Sequence, residues 1–134
     1  MEEQLLDYRQ ITQLQCRQAI QNVQKKLNSY NLKFITNRFD INQLGYTQAP
    51  EGNLIAFWIE GNATESILNS NQLMLSLSTQ IINSCSQDKI IAVDFAPRYT
   101  GWVMRFGTVD GMIKMFEQQD PPDCGDNWGT NCVT

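Results

Sequence analysis

The sequence predicts an α+β fold in which about five mostly antiparallel strands carry two helices on one face. Three features point to this class. The N-terminal segment spaces its apolar residues as a helix does, a short uninterrupted apolar run in mid-chain is typical of a buried strand, and the last apolar segments are joined by turns short enough for antiparallel pairing. With 134 residues, the chain has the length of one domain.

The first helix is predicted at residues 2–29. From residue 16 onward, apolar or small residues recur at steps of four and three positions: Cys16, Ile20, Val23, Leu27 and Tyr30. Gln, Arg and Lys fill the positions between them, which is the pattern of an amphipathic helix. The stripe is short, so we expect it to pack on the sheet of its own chain rather than in an intermolecular coiled coil.

Two strands are predicted next, at residues 32–41 and 54–59. The connection between them contains the turn formers Gly45, Pro50 and Gly52. The second run, LIAFWI, is apolar throughout, so we expect a central strand buried on both faces.

The stretch 62–86 fits two patterns. Three leucines between positions 73 and 77 alternate as in a strand, whereas four apolar residues follow helical steps of three, four and four: Met74, Leu77, Ile81 and Cys85. The length and the lack of Gly or Pro favour a helix, which Ser70 or Asn71 can cap. At its start, Asn62-Ala63-Thr64 matches an N-glycosylation acceptor, but we interpret it as a helix entry capped by Asn62 or Thr64.

Three further strands are predicted at residues 89–95, 101–106 and 112–116. Pro97 separates the first two, and a connection at 107–111 that ends in Asp110-Gly111 indicates a hairpin between the last two. The element order is therefore α-β-β-α-β-β-β. Residues 1–117 are expected to form a single α+β domain, and residues 118–134 an acidic C-terminal tail containing Pro, Gly and Cys.

The chain contains no histidine, the commonest general base and metal ligand. Ser-His-Asp and Cys-His nucleophile systems, His-containing zinc sites and proximal-His haem are thereby excluded. Glycine-rich phosphate-binding motifs are absent as well. We therefore predict that the protein is not an enzyme and holds no cofactor, with calcium as the one alternative.

The net charge is −4, from ten Lys and Arg against fourteen Asp and Glu. Three of the acids lie in the tail without any base, and Lys25-Lys26 is the largest basic cluster. We therefore do not expect nucleic acid or a membrane surface as a partner, because both need clustered cations. No apolar run approaches the ~20 residues of a membrane span, and the acidic start MEEQLLDYRQ is unlike a signal peptide, so a cytoplasmic location is expected.

The main candidate binding site, which we name the Trp/Arg corner, combines seven residues: Trp58, Glu60, Asp94, Arg98, Tyr99, Trp102 and Arg105. Guanidinium groups bind carboxylates through two hydrogen bonds, and large aromatic rings anchor interfaces. These residues could therefore line a groove for a peptide or an anionic ligand. The alternative is a cross-strand ion pair between Arg105 and Asp94 or Glu60, flanked by core aromatics.

The tail allows several interpretations. It can be a loosely docked acidic segment, a loop closed by a disulfide between Cys124 and Cys132, or an irregular calcium site formed by Asp120, Asp123 and Asp126. It can also be the target of processing. The other two cysteines, Cys16 and Cys85, fall on apolar helix faces and are expected to be buried free thiols.

Taken together, these features predict a small non-catalytic binding or regulatory module that acts through contact with another protein. Inhibitors and immunity-type proteins have this character, and the acidic residues would suit a basic partner. One alternative is a ligand- or calcium-binding domain that uses the Trp/Arg corner or the tail. Another is a carrier whose tail is modified or cleaved, and a homodimer is also compatible with the sequence.

Overall fold

The computed structural model describes residues 5–6, 11, 13–99, 102–120 and 127–132. In these ranges the chain forms three α-helices, α1 (Leu14–Ser29), α2 (Thr64–Leu68) and α3 (Asn71–Ser84). It also forms eight strands: β1 (Leu5–Leu6), β2 (Lys33–Asp40), β3 (Asn53–Glu60), β4 (Ile90–Pro97), β5 (Met104–Val109), β6 (Met112–Met115), β7 (Glu117–Gln119) and β8 (Thr130–Cys132).

Strands β1 to β6 form one sheet in sequence order, and every neighbouring pair is antiparallel except β3 and β4. That parallel pair requires a crossover connection, which α2 and α3 supply. The predicted α+β class with a mostly antiparallel sheet is confirmed. Strands β7 and β8 form a separate parallel pair that the sequence did not indicate.

The predicted helix at 62–86 is divided in the structure. Asn69 and Ser70 separate the short α2 from α3, and the N-cap position of α2 is Ala63, which makes no side-chain cap hydrogen bond. The interpretation of Asn62 or Thr64 as the cap of this helix is therefore wrong. The predicted connection at 107–111 is also too long, because β5 continues to Val109 and a two-residue turn with positive φ at Asp110 (52°) and Gly111 (80°) leads into β6.

The three helices pack on one face of the sheet, as expected for two. Alternate residues of β3, namely Ile55, Phe57 and Ile59, join the large apolar cluster that the helices share with the sheet. Within it the rings of Phe57 and Phe95 stack at 5.5 Å between centroids. This face contains most of the core.

The intervening residues of β3, Leu54 and Ala56, lie in a second and smaller cluster with Phe39 and Ala92. Strand β3 is thus buried on both faces, as its uninterrupted apolar run predicts. Within the described ranges no α-helix lies on this second face. It is covered in part by residues 41–49, which begin with a 3-10 helix at Ile41–Leu44, and by Trp128 near the C-terminus.

A disulfide bond joins Cys16 in α1 to Cys85 directly after α3. The expectation that these cysteines are buried is correct, since neither is exposed, but the expectation of free thiols is wrong. The two helices pack against each other, and this brings the cysteines together although they are 69 positions apart in the sequence. Cys132 is disulfide-bonded too, while Cys124 lies outside the described residues.

Candidate binding cleft

A buried ion pair lies at the centre of the second sheet face. Asp94 on β4 is the antiparallel register partner of Arg105 on β5. The guanidinium donates two parallel hydrogen bonds to the carboxylate, from Nε to Oδ1 at 2.6 Å and from Nη2 to Oδ2 at 2.7 Å. The side chain of Asp94 is 7% exposed and that of Arg105 13%. The corner thus contains the cross-strand pair that the sequence offered as an alternative, with Asp94 as the acid.

Tyr46 completes the surroundings of Arg105. Its hydroxyl accepts a hydrogen bond from Nη1 of Arg105 and donates one to Oδ1 of Asn131 at 2.8 Å. Asn131 is buried in β8. Two elements from distant parts of the chain therefore contact the guanidinium, namely strand β4 and the connection before β3, and the C-terminal strand holds Tyr46 in place.

The contacts among Asp94, Arg105 and Tyr46 determine the protonation states of Arg105 and Tyr46. Burial acts to lower the pKa of Arg105, but the charge and hydrogen bonds of Asp94 outweigh it and raise that pKa above its ordinary value. Burial raises the pKa of Tyr46, and the nearby guanidinium offsets this only in part. At neutral pH the cluster therefore holds a positive Arg105, a neutral Tyr46 and an Asp94 with both oxygens occupied.

A cavity of about 270 Å³ opens beside the ion pair. Most of its lining side chains are apolar or aromatic, and its charged side chains are Asp94, Arg98 and Arg105. The apolar residues are Phe39, Leu44, Trp58, Ala96, Pro97, Trp102 and Val103. We name this cavity the tryptophan cleft, because Trp58 and Trp102 are its largest side chains.

Five of the seven residues of the Trp/Arg corner line the cleft: Trp58, Asp94, Arg98, Trp102 and Arg105. Glu60 meets the group only through an ion pair with Arg98 at 3.4 Å, in which the two side chains remain 29% and 37% exposed. Tyr99 is 78% exposed and does not line the cleft, although its ring lies 5.4 Å from the guanidinium carbon of Arg98.

Sequence reasoning missed Tyr46, Asn131 and Leu44. Tyr46 stands in an irregular connection, 59 positions from Arg105 and 85 from Asn131. Its ring packs edge-on against Phe116 and Trp128, at 6.0 and 5.1 Å between centroids. An aromatic residue in a loop is the only local signal of such an anchor, and it does not name the partners.

The described part of the predicted tail packs against the rest of the chain. Trp128 donates from its indole nitrogen to the carbonyl oxygen of Thr108 at 2.8 Å, and Thr47 forms a bridge with Asn127. Asp120 is exposed, whereas Asp123 and Asp126 lie outside the described residues, so the calcium site remains a prediction. Among the side chains that the structure describes, no group of three or more acids or cysteines is placed to hold a metal ion.

Of the helices in the described ranges, none is long and apolar enough to cross a membrane. Comparison with known proteins gives no family: no protein-family model, curated protein or solved structure matches this chain.

Proposed function

We propose that the protein is a small non-catalytic binding module that holds a partner protein by one apolar or aromatic side chain seated in the tryptophan cleft. Inhibitors and immunity-type proteins act by such contact. The observation that carries the proposal is the cleft itself, a largely apolar cavity lined by two tryptophans and two arginines.

The charged groups of the cleft support a role in holding rather than in proton transfer. Arg105 occupies both oxygens of Asp94 and also donates to Tyr46. A general base must come within hydrogen-bond reach of the proton that it takes, and the side chain of Asp94 is only 7% exposed. The pair therefore acts as a rigid, neutralised wall against which an apolar group can pack.

The size of the cleft favours a side chain over a whole small molecule. Ligand cavities usually measure about 300–1,000 Å³, and this one measures about 270 Å³. Tryptophan and arginine are also the residue types most enriched among the residues that dominate binding energy at protein interfaces. A single inserted side chain, with further contacts around the rim, fits these observations.

Arg98 indicates which residue type of the partner should lie next to the inserted side chain. Its ion pair with Glu60 is partly exposed, and such pairs contribute only about 0–1 kcal/mol to stability. A carboxylate of the partner can therefore replace Glu60 at little cost. We expect the partner to present an aromatic or large aliphatic residue next to Asp or Glu.

Selection of peptides from a random display library on the immobilised protein tests this proposal. The enriched peptides should share an aromatic residue followed or preceded by an acid. Trp102→Ala should weaken their binding by about 30-fold, which corresponds to a loss of ~2 kcal/mol at an interface anchor. Arg98→Glu should reverse the preference for the neighbouring acid to a preference for Lys or Arg.

Met112→Ala is the control, because this exposed large apolar residue lies on β6 and does not line the cleft. It should bind the same peptides as the unchanged protein. Peptides that bind equally well to the Trp102→Ala protein would place the interface elsewhere and refute the proposal.

A ligand-binding domain is the second candidate, supported by a neighbouring cavity of about 570 Å³ that shares Pro97 and Trp102 with the cleft. This volume is within the range for small molecules. A ligand that binds only the folded chain must raise its melting temperature. Thermal unfolding with indole carboxylates, benzoate and calcium tests this candidate, and a Trp102-dependent increase with one of the carboxylates would favour it over a partner protein.

The disulfide bonds indicate the redox conditions of the compartment in which the protein is located. Disulfides persist in oxidising compartments and are rare in the cytosol, and both Cys16–Cys85 and Cys132 are oxidised. We therefore propose an oxidising compartment in place of the cytoplasmic location expected from the sequence. Alkylation of the native protein without reductant should leave these three cysteines unmodified, and labelling of Cys16 or Cys85 in the unfolded, unreduced chain would contradict this.

A further inference from the structure

The acceptor pattern Asn62-Ala63-Thr64 has no structural role that accounts for it. Asn62 is exposed in the turn between β3 and α2. The cap position of α2 is Ala63, without a side-chain cap hydrogen bond, and the hydroxyl of Thr64 has no hydrogen-bond partner. Neither polar residue of the pattern therefore caps the helix that follows.

The pattern is also unique in the chain. Of the twelve asparagines, Asn62 alone is followed two positions later by Ser or Thr. Glycosylation requires an acceptor of this form at the surface of a protein that enters a secretory compartment. The exposure of Asn62 meets the first condition, and the disulfide between Cys16 and Cys85 indicates the second.

We propose that Asn62 is an N-glycosylation site. In the transfer, Nδ2 of Asn62 bonds to the anomeric carbon of an oligosaccharide carried on a lipid pyrophosphate. The bond from that carbon to the pyrophosphate oxygen breaks, the lipid pyrophosphate leaves with the electron pair, and a base of the transferase takes the amide proton. This inference rests on the proposed oxidising compartment and is independent of the proposed binding partner.

The structure also indicates when the transfer takes place. The hydroxyl of Thr64, which the transferase must recognise, is buried in the fold. Recognition therefore precedes the docking of α2, while the chain is still entering the compartment. After folding, Asn62 borders the cavity of about 570 Å³ together with Glu65 and Trp102, so the attached sugar has open space beside it.

Expression of the full chain through the secretory route of a eukaryotic cell, behind a cleavable leader, tests the site. Intact mass should show a heavier form that peptide:N-glycosidase returns to the mass of the polypeptide, with Asn62 converted to Asp. Asn62→Gln and Thr64→Ala should abolish the heavier form. Thr64→Ser, which keeps the acceptor pattern, should retain it, and so should Asn69→Gln, a neighbouring exposed asparagine outside any acceptor pattern.

Formation of the Cys16–Cys85 disulfide in the same sample verifies that the chain folded in an oxidising compartment. An unmodified Asn62 in molecules that carry this disulfide would overturn the proposal. The same mass measurement on protein isolated from the cells that make it must show the glycan.

Discussion

Arg105 shows how much one side chain can depend on its partners. It is 13% exposed and hydrogen-bonded to Asp94 and Tyr46, whereas Arg98 is 37% exposed and forms an ion pair with Glu60 at 3.4 Å. Removing one partner of a buried pair leaves a charge that water does not reach, which costs about 3–5 kcal/mol, while an exposed pair contributes about 0–1 kcal/mol. The two arginines should therefore differ sharply in their effect on stability.

We expect Arg105→Met to lower the free energy of unfolding by about 3 kcal/mol, because it leaves the Asp94 carboxylate buried without a partner. Arg98→Met is the control and should change it by less than ~1 kcal/mol. The double variant Arg105→Met/Asp94→Leu should recover much of the loss. Urea unfolding followed by tryptophan fluorescence measures the free energy of unfolding of all three variants. Equal decreases for Arg105→Met and Arg98→Met would contradict the stronger dependence of the fold on the buried pair.

Tyr46 should give the protein a pH dependence in the alkaline range. Burial raises the pKa of this phenol above its ordinary value of 10.0, so the fold favours the protonated form. The resulting stabilisation is complete below pH 10.0 and is lost as the pH rises through the folded-state pKa. Tyr46→Phe should reduce the fall in unfolding free energy above pH 10.0, measured by urea titrations at several pH values, and an unchanged fall would contradict this role of Tyr46.

At the scale of the element, the disulfide between Cys16 and Cys85 ties α1 to the end of α3. In the chain-entropy model, closing a loop of 69 positions contributes about 4 kcal/mol by restricting the unfolded chain. The double variant Cys16→Ala/Cys85→Ala should accordingly lower the free energy of unfolding by roughly 2–5 kcal/mol. Urea unfolding measures this, and an unchanged midpoint would show that the bond is dispensable.

Helices and strands whose apolar residues follow a regular local pattern could be predicted from the sequence. Elements that are defined by contacts between distant residues could not. The stripe of α1 and the apolar run of β3 identify their own secondary structure and burial. The predicted helix start at residue 2 is wrong, because α1 begins at Leu14 and Leu5–Leu6 form strand β1. The pairing of β7 with β8, by contrast, joins short segments that lack any period of their own. The disulfide could not be predicted from the sequence either, because only the packing of α1 on α3 brings the Cα atoms of its two cysteines to 4.5 Å.

The same division holds for the site. Five residues of the cleft could be predicted from the sequence, because their residue types suit binding and because strand alternation places several of them on one face. They are Trp58, Asp94, Arg98, Trp102 and Arg105. Tyr46 and Asn131 carry no such signal. Their roles arise from a contact across 85 positions of sequence, which periodicity and composition cannot report.

At the scale of the whole molecule, the two faces of the sheet are protected differently. Helices cover one face, and on the other the ring cluster of Tyr46, Phe116 and Trp128 joins the C-terminal segment to the sheet. The indole of Trp128 also donates to Thr108 on β5. The C-terminal segment therefore holds Tyr46 against Arg105 at one side of the cleft.

We expect Trp128→Ala to lower the free energy of unfolding by about 3 kcal/mol, because it removes a large ring from this cluster and leaves a cavity. It should also weaken the binding of cleft-selected peptides, since Tyr46 loses its support. Trp128→Phe, which keeps part of the ring contact, should lie between. Calorimetry measures the loss of stability, and peptide titration measures the loss of binding. Unchanged peptide binding by a strongly destabilised Trp128→Ala protein would show that the C-terminal segment does not support the cleft.

The disulfide has a further consequence under mechanical load. A molecule stretched between its two ends can release the strands that follow Cys85, but the segment between Cys16 and Cys85 stays withdrawn from the line of force. At 3.3–3.6 Å of extension per residue, these 69 positions represent roughly 240 Å of chain that becomes available only after a reductant cuts the bond.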